Sequence, residues 1–160
     1  MFADIRAYAE ADRRQVVDLI AQLNAFENGI SGDRASDRKA AEACLDADLG
    51  RIERDGGALV VAGDGADVIG MMCLVLDPPQ PYLRADIGRI AWVAELVIDE
   101  RHRGQGVGTS LLREAERLAK SFGIRRLMIG AIVGNTIARR AYERFGFRPA
   151  VVELAKDLDD

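Results

Sequence analysis

The sequence predicts a mixed α/β domain, in which a central mixed β-sheet carries helices on both faces. Three observations favour this class. Apolar segments of strand length and amphipathic segments of helical period are both present, they are interleaved over 160 residues, and no repeat or Pro/Gly-rich linker separates them. We therefore expect a single domain over residues 1–160 with the element order β-α-α-β-β-β-α-β-α-β.

The first third of the chain supplies one strand and two helices. A short strand is expected at residues 5–8, and a helix starts at about Asp12 in a sequence that resembles a capping box. Residues 27–36 are rich in Gly, Asp and Ser, which indicates a loop. A second helix then runs to about Arg54, where the glycine pair at 56–57 stops it.

The middle of the chain predicts three strands. Residues 58–62 and 68–76 are apolar, and the Gly-Asp-Gly sequence at 63–65 is typical of a hairpin turn. The Asp-Pro-Pro-Gln-Pro sequence at 77–81 cannot pair in a sheet and must be a loop. A third, long strand is expected at residues 87–98.

The last third predicts helix, strand, helix and strand. The clearest helix covers residues 109–122, and Gly123 ends it. A strand at 126–133 leads through the Gly-Asn pair at 134–135 to a helix that carries residues 137–145 and ends at Gly146, and a last strand is expected at 151–156. A sheet that ends on one such strand leaves an edge that a second copy of the chain would cover, so a homodimer is plausible.

Composition excludes several classes of function. The net charge is −4, and Lys and Arg are scattered, which argues against a nucleic-acid-binding protein. Cys44 and Cys73 lie far apart without metal-site spacing, as expected in a reducing compartment. The N-terminal residues lack the apolar core of a signal peptide, and no run is long enough to span a membrane. We expect a cytoplasmic protein with no membrane partner.

A glycine-rich segment, Arg103-Gly104-Gln105-Gly106-Val107-Gly108, lies between an apolar strand and an amphipathic helix. Backbone N–H groups at the start of a helix and the positive end of its dipole suit a phosphate or pyrophosphate. A Walker A loop would require a lysine after the last glycine, and a dinucleotide-binding loop would require glycine at position 109, which is Thr. Both of those nucleotide sites are therefore excluded.

A second motif follows at a distance that suits the first. It consists of Asn135, Ala138 and the sequence Tyr142-Glu143-Arg144-Phe145-Gly146-Phe147. Together with the pattern Arg103-x-x-Gly106-x-Gly108, it resembles the GNAT superfamily of acetyl-CoA-dependent N-acetyltransferases. The resemblance extends from about Ile5 to the end of the chain, with its specific part between residues 95 and 147.

The resemblance implies a GNAT-like fold, acetyl-CoA as cosubstrate without a metal, and direct transfer of the acetyl group to a primary amine. The backbone amides of the glycine-rich segment would hold the CoA pyrophosphate. The pantetheine arm would pair with the end of the third long strand, where an N–H near Val97 would polarise the thioester carbonyl. The cofactor-binding residues so implied are Leu96, Val97, Ile98, Arg103, Gly104, Gln105, Gly106, Val107, Gly108, Thr109, Asn135 and Ala138.

Tyr142 is the residue that the resemblance makes the acid. It lies one helical turn beyond Ala138, on the face directed at the sheet, and its hydroxyl would protonate or stabilise the departing thiolate. The alternative is a core aromatic residue whose hydroxyl is satisfied by a structural hydrogen bond.

Glu95 is the candidate base, because an alkylammonium group must lose a proton before it attacks. It interrupts an apolar run, and strand alternation places it with Val93 and Val97 on one face, opposite Leu96 and Ile98. In many GNAT members a carboxylate near this position accepts the proton of the amine through water. A salt bridge to Arg89 or Arg126 is the alternative.

Other reactive residues are weaker candidates. His102 lies in a charged turn and is expected to be exposed, not catalytic. Ser110 and Ser121 have no histidine base near them in the sequence, so a hydrolase triad is unsupported. Cys73 is expected in the core, and one histidine with two separated cysteines leaves no zinc site.

The acceptor amine is left open by the sequence. The loops at 26–36 and 77–86 contain acidic residues, which favour a cationic amine on a small molecule or a protein. Two other functions stay open at this stage: a non-catalytic acyl-CoA-binding or regulatory module, and a transferase that uses a longer acyl-CoA.

Overall fold

The computed structural model describes residues 3–158 and contains one five-stranded sheet. The strands are β1 (Asp4–Ala7), β2 (Gly57–Asp64), β3 (Asp67–Asp77), β4 (Ile90–Ile98) and β5 (Leu127–Ile129). The helices are α1 (Arg13–Ser31), α2 (Arg38–Asp55), α3 (Val107–Ser121) and α4 (Thr136–Phe145), and 3-10 turns form at Glu10–Asp12 and Glu100–His102. The strand order is β1-β2-β3-β4-β5, antiparallel except for the parallel pair β4 and β5.

The predicted mixed sheet with helices on both faces is confirmed. Helices α1 and α2 pack on one face around Ile20, Leu45 and Met71, all of which are inaccessible to solvent. Helix α3 packs on the other face, around Leu74 and Leu111. The most deeply buried part of the molecule is therefore the middle of β2 and β3, enclosed from both sides.

Helix α1 is longer than the sequence predicted. Residues 27–31, expected in a loop, are helical, and the helix ends at Gly32, whose φ of 74° is in the left-handed region. Gly29 lies inside the helix, which tolerates a single glycine at a cost of about 1 kcal/mol. The extension places Ile30 against Gly134 and brings the charge of Glu27 close enough to raise the pKa of Glu95 and of Tyr142.

Strand β4 contains a β-bulge at Ala94. Val93 pairs with Leu74 and Glu95 pairs with Cys73, so that Ala94 has no partner on β3. Because directly opposed residues share a face, Val93 lies on the α3 face whereas Glu95 lies on the α1/α2 face. The prediction that both residues share one face is wrong, since regular alternation does not continue through a bulge.

The predicted strand at residues 151–156 does not form. Residues 148–158 have no regular structure, and every one of them is exposed. The observed order therefore ends at α4, and β5 is the last strand of the sheet in the part of the chain that the structure describes. β5 is also shorter than the predicted 126–133.

Candidate active site

A cleft opens where β4 and β5 separate. The two strands pair only through Ala91, Trp92 and Val93, and β5 ends at Ile129. Beyond that point, Glu95 to Ile98 continue along β3 without a neighbour from β5. The bulge at Ala94 coincides with the separation, as expected because bulges bend a strand and increase its twist.

The backbone of β4 offers hydrogen-bonding groups to this cleft. The N–H of Asp99 donates to the carbonyl of Ile69 at 2.9 Å and so points toward β3. In an antiparallel strand successive residues point their N–H and C=O groups to opposite sides, so Leu96 and Ile98 direct theirs into the cleft. The N–H of Val97 faces β3, and the donors next to Val97 that an acyl group can reach are those of Leu96 and Ile98.

The glycine-rich segment lies at the end of the cleft and opens α3. Gly104 and Gly106 have φ values of 74° and 86°, which a residue with a side chain adopts only with strain. Gly106 is the N-cap of α3 and offers no side chain to the N–H groups of Val107, Gly108 and Thr109. The start of a 15-residue helix therefore presents uncapped donors, which fit a pyrophosphate.

Side chains of the same segment are tied back to the protein. The guanidinium of Arg103 lies 5.4 Å from the ring centroid of Phe26, and its Nε donates to the carbonyl of Ile98 at 3.3 Å. The side-chain amide of Gln105 donates to the carbonyl of Arg101 at 3.2 Å. These contacts fix the loop between α1 and β4 and leave the anion-binding capacity to its backbone amides.

Glu95 is half-buried on the α1/α2 side of β4. Burial raises its pKa to about 8, and the negative charges of Asp48 and Glu27 add to this effect while Arg34 opposes it. The alternative, a salt bridge to Arg89 or Arg126, does not form among residues 3–158, and Arg89 donates to the backbone carbonyl of Asp55. Glu95 therefore holds a proton far more strongly than an exposed glutamate does.

Asp48 is a functional candidate that the sequence analysis missed. It occupies a core-facing position of α2, following Ala41 and Leu45, and only 8% of its surface is exposed. Its Oδ2 has no hydrogen-bond partner within residues 3–158. Burial raises the pKa of Asp48 and of the neighbouring Cys73 thiol, which is thereby a poor nucleophile. Asp48 lies close enough to Glu95 for its charge to contribute to the raised pKa of that residue.

Tyr142 faces the cleft from α4. Burial raises its pKa to about 12, with further contributions from the charges of Glu27 and Glu95. Its ring meets Phe147 edge to face at a centroid distance of 6.1 Å, and Phe147 is itself stacked on Phe145. These ring contacts orient the side chain of Tyr142.

Asn135 and Ala138 form the N-terminal cap of α4. The side-chain oxygen of Asn135 accepts a hydrogen bond from the N–H of Ala138 at 3.1 Å. The spacing of the two residues therefore has a structural reason, since an N-cap side chain bonds to the amide three residues on. The amide nitrogen of Asn135 keeps its donors for another group. A Cβ at Gly134 would collide with Ile30, so this loop packs closely on α1.

Comparison with known proteins identifies the family. The sequence model of the acetyltransferase (GNAT) family matches residues 21–147. The chain belongs to the GNAT acetyltransferase family. The match contains the cleft strand β4 and both motifs that carry the resemblance, the glycine-rich segment and residues 135–147.

Individual relatives of this GNAT chain match over shorter segments. An uncharacterised N-acetyltransferase of Bacillus subtilis (strain 168) is 28% identical over 92 residues, which is 58% of this chain and 55% of the relative. A spermine/spermidine N(1)-acetyltransferase of the same organism is 36% identical over 62 residues, 38% of this chain and 40% of that protein. The chain thus spans about half, or less, of the length of these curated relatives.

Solved structures share the fold along almost the whole chain. A putative acetyl transferase from Pyrococcus furiosus has a TM-score of 0.76 at 18% identity and covers 98% of this GNAT chain and 99% of its own. Glucosamine-6-phosphate N-acetyltransferase from Arabidopsis thaliana has a TM-score of 0.69 at 18% identity, covering 99% and 100%. At such identities the likeness concerns the fold alone.

His102 has a structural role in this GNAT chain. Its Nδ1 lies 3.3 Å from Oδ1 of Asp99, and Arg101 and Gln22 also bond to the same carboxylate. These partners hold the pKa of Asp99 well below its usual range. Within residues 3–158 no group of three His, Cys, Asp or Glu side chains could hold a metal ion, and none of the helices is apolar enough over a sufficient length to cross a bilayer.

Proposed function

We propose that this protein transfers the acetyl group of acetyl-CoA to a primary amine by direct transfer, with both substrates bound together. The observation that carries the proposal is the placement of Glu95 and Tyr142 on β4 and α4, on either side of the cleft. The two groups are close enough that the charge of Glu95 raises the pKa of Tyr142. A base and an acid thus meet where a strand edge is open.

Binding of acetyl-CoA is assigned to the backbone. The amides of residues 103–109 suit its pyrophosphate, and the outward groups of Leu96 and Ile98 suit the pantetheine arm as an added strand. The free amide donors of Asn135 are available to the same arm, at the cap formed with Ala138. When bound, acetyl-CoA supplies an acetyl group activated as a thioester.

Glu95 is proposed as the base that takes the proton of the amine, directly or through water. An alkylammonium has a pKa of about 10.4, so the reactive neutral amine is scarce at neutral pH and must be generated in the site. A carboxylate with a pKa of about 8 is better matched to that task than an exposed glutamate. Since only the ionised form accepts a proton, activity should rise with pH up to about pH 8.

Tyr142 is proposed as the acid. With a pKa of about 12 the hydroxyl stays protonated throughout the neutral range, so it can donate to the sulfur as the thiolate departs. The N–H groups of Leu96 and Ile98 are proposed to hold the carbonyl oxygen as its negative charge develops. Each of these groups is in place before substrate binds, which lowers the cost of reorganisation.

The acceptor is proposed to be a cationic amine on a small molecule or a protein. Glu27 and Glu95 place negative charge on the α1 side of the cleft, partly offset by Arg34, whose Nε lies 3.1 Å from Glu27. A homodimer and a cytoplasmic location are proposed as well; the latter rests on Cys44 and Cys73, both of which are free thiols in this structure.

An assay of thiol release from acetyl-CoA across a panel of amines tests this function. We expect release that depends on the amine, together with an increase in melting temperature on addition of CoA. A non-catalytic CoA-binding module would show the thermal shift without turnover under any amine. A transferase for longer acyl groups would prefer a bulkier thioester over acetyl-CoA in the same assay. The absence of both a thermal shift and turnover would contradict the assignment of the glycine-rich segment as a CoA-binding site.

A further inference from the structure

Asp99 follows β4 directly and is the last buried residue before the glycine-rich segment. Only 6% of its surface is exposed. Residues 100–106 are exposed or half-buried, and the next buried residue is Val107 at the start of α3. Gly104 and Gly106 add backbone freedom to the same stretch, because a residue without a Cβ is less restricted. Apolar packing therefore does not orient the backbone amides to which CoA binding is assigned.

The carboxylate of Asp99 holds the turn that leads into this segment. Its Oδ1 accepts hydrogen bonds from the backbone N–H and from Nε of Arg101, both at 3.0 Å. The backbone carbonyl of Asp99 accepts a further bond from the N–H of His102 at 2.9 Å. Asp99 is thereby the N-cap of the 3-10 turn Glu100–His102. The direction in which the chain enters residues 103–109 is set by these bonds.

A second contact ties the same carboxylate to α1. Oδ2 of Asp99 accepts a hydrogen bond from Nε2 of Gln22 at 3.2 Å. The other polar atom of this amide, Oε1 of Gln22, is buried without a hydrogen-bond partner within residues 3–158. Because such an unpaired acceptor is unfavourable, the bond to Asp99 is what the amide gains in this position. The turn is therefore fixed to a helix that packs on the sheet as well as internally.

The charge of Asp99 acts against the binding of an anion. A carboxylate at the entrance of the glycine-rich segment repels a pyrophosphate, and the guanidinium of Arg101 at 3.0 Å offsets this only in part. If Asp99 affects the affinity for an anion through its charge, its neutralisation strengthens binding. If it does so through the geometry of the turn, its neutralisation weakens binding. The two effects have opposite signs and can be separated by experiment.

We propose that Asp99 is a positioning residue for CoA, which orients the turn at 100–102 so that the backbone amides of residues 103–109 converge on the pyrophosphate. Asp99 acts through Arg101 and Gln22, and no contact with the cosubstrate is assigned to it. This inference rests on the proposed CoA site, whereas the order of the segment itself can be measured without a ligand.

Asp99→Asn tests the proposal by CoA binding. The amide keeps the size of the side chain but replaces one acceptor oxygen by a donor, so it cannot accept bonds from both Arg101 and Gln22. We expect the Kd for CoA in a calorimetric titration to rise about 10-fold. The KM for acetyl-CoA should rise with it, while kcat and the KM for the amine change by less than about 2-fold. An unchanged or lower Kd for CoA would overturn the proposal.

A measurement on the ligand-free protein separates this inference from the proposed function. NMR order parameters of the amides of residues 103–109 should be lower in Asp99→Asn than in the wild type. Unchanged order parameters would overturn the positioning role. If the wild type did not bind CoA, the proposed function would fail, and the order parameters would still support or refute the positioning of the segment by Asp99.

Asp12→Asn is the matched control. Asp12 is 5% exposed, and its carboxylate accepts hydrogen bonds from the N–H of Ala9 at 2.9 Å and from the guanidinium of Arg6. Arg6 belongs to β1, which forms the edge of the sheet opposite to β5. We expect this variant to lower the free energy of unfolding without changing the Kd for CoA. An equal loss of CoA affinity would refute the role of Asp99, because general destabilisation would then explain both variants.

Gln22→Met tests the link to α1. Methionine has nearly the same volume, removes the hydrogen bond to Asp99 and also removes the unpaired oxygen. We therefore expect a smaller loss of CoA affinity than in Asp99→Asn, with no loss of stability in urea denaturation. A Kd and order parameters equal to those of the wild type would refute the contribution of α1 to the position of the turn.

Discussion

The two sides of the cleft differ in how densely they are packed and in how far their strands are paired. β4, which carries Glu95, pairs with β3 along its length and lies between two buried clusters. On the other side β5 pairs over three residues, and α4, which carries Tyr142, has no buried residue. The proposed base thus belongs to the densely packed part of the protein and the proposed acid to the loosely packed part. The difference indicates that a ligand in the cleft would stabilise mainly β5 and α4.

Glu95→Gln tests the densely packed side and should have the largest effect. The amide cannot accept a proton, so we expect kcat/KM to fall by roughly 10²- to 10⁴-fold. The rise of activity toward pH 8 that we expect of the wild type should disappear. Both quantities come from a pH series of the amine-dependent thiol release, and a variant with an unchanged pH profile would rule out Glu95 as the base.

The same variant should also change stability in a pH-dependent way. Folding raises the pKa of Glu95 from its ordinary value of 4.5 to about 8, so the folded state binds this proton more tightly than the unfolded state. The free energy of unfolding that Glu95 contributes is thus highest below pH 4.5 and is lost as the pH rises to about 8. The Gln variant should be relatively more stable at pH 9 than at pH 5, which chemical denaturation at the two pH values would measure.

Truncation of one buried and one exposed side chain compares how much the sheet and α4 contribute to the free energy of unfolding. Leu74 is completely buried on β3, and Leu74→Ala should lower the free energy of unfolding by about 2–5 kcal/mol. Ile137→Ala on α4, where the side chain is 75% exposed, should change it by less than about 0.5 kcal/mol. Urea denaturation of both variants measures the contrast. Equal losses would show that α4 is buried in solution by a partner.

Tyr142→Phe tests the loosely packed side. Loss of a hydrogen bond to a charged group costs about 1.5–3 kcal/mol, so we expect kcat to fall roughly 10- to 100-fold with little change in CoA affinity. Single-turnover thiol release and a CoA titration separate the two effects. Full turnover in the phenylalanine variant would leave Tyr142 with a packing role against Phe147.

Substitutions at the N-caps of α2 and α4 should have the smallest effects, and the two caps are closely matched in structure. Asp37 accepts a hydrogen bond from the N–H of Ala40 at 2.9 Å, as Asn135 does from Ala138. Asp37→Ala should cost about 1 kcal/mol of global stability. Asn135→Ala should instead increase hydrogen exchange within α4 and lower global stability less, because no side chain of α4 is fully buried. Global losses of the same size in both variants would contradict this difference in support.

Much of the fold could be predicted from local patterns. The helical period of α3 and Gly123 at its end identify that helix, and the turn at residues 63–65 identifies the hairpin of β2 and β3. The end of α1 and the last strand could not be predicted in the same way. Residues 27–31 join α1 although none of them is buried, so no apolar period marks them as helical in the sequence. The apolar alternation of residues 151–156 finds no pairing strand in the described part of the chain.

The candidate site was less accessible to sequence reasoning. Glu95 was found because a carboxylate interrupted an apolar run, and Tyr142 because of the motif around it. Asp48 gave no such signal, because an acidic residue on a helix is ordinarily solvated, and only the packing of α2 on β3 shows that it replaces a core residue. The sequence signal for the burial of Asp48 was its position three residues after Leu45, on the same face of α2 as Ala41 and Leu45.

The bulge at Ala94 determines on which face of the sheet Glu95 lies. If β4 were regular, the present sequence would turn Glu95 under α3, together with Val93, into a cluster made of apolar side chains. A carboxylate buried there without a partner would cost several kcal/mol or stay protonated. One additional residue on one strand moves every side chain that follows it to the opposite face of the sheet. Chain length at a single position, with no change in residue type, thereby determines which of the two buried clusters this carboxylate adjoins.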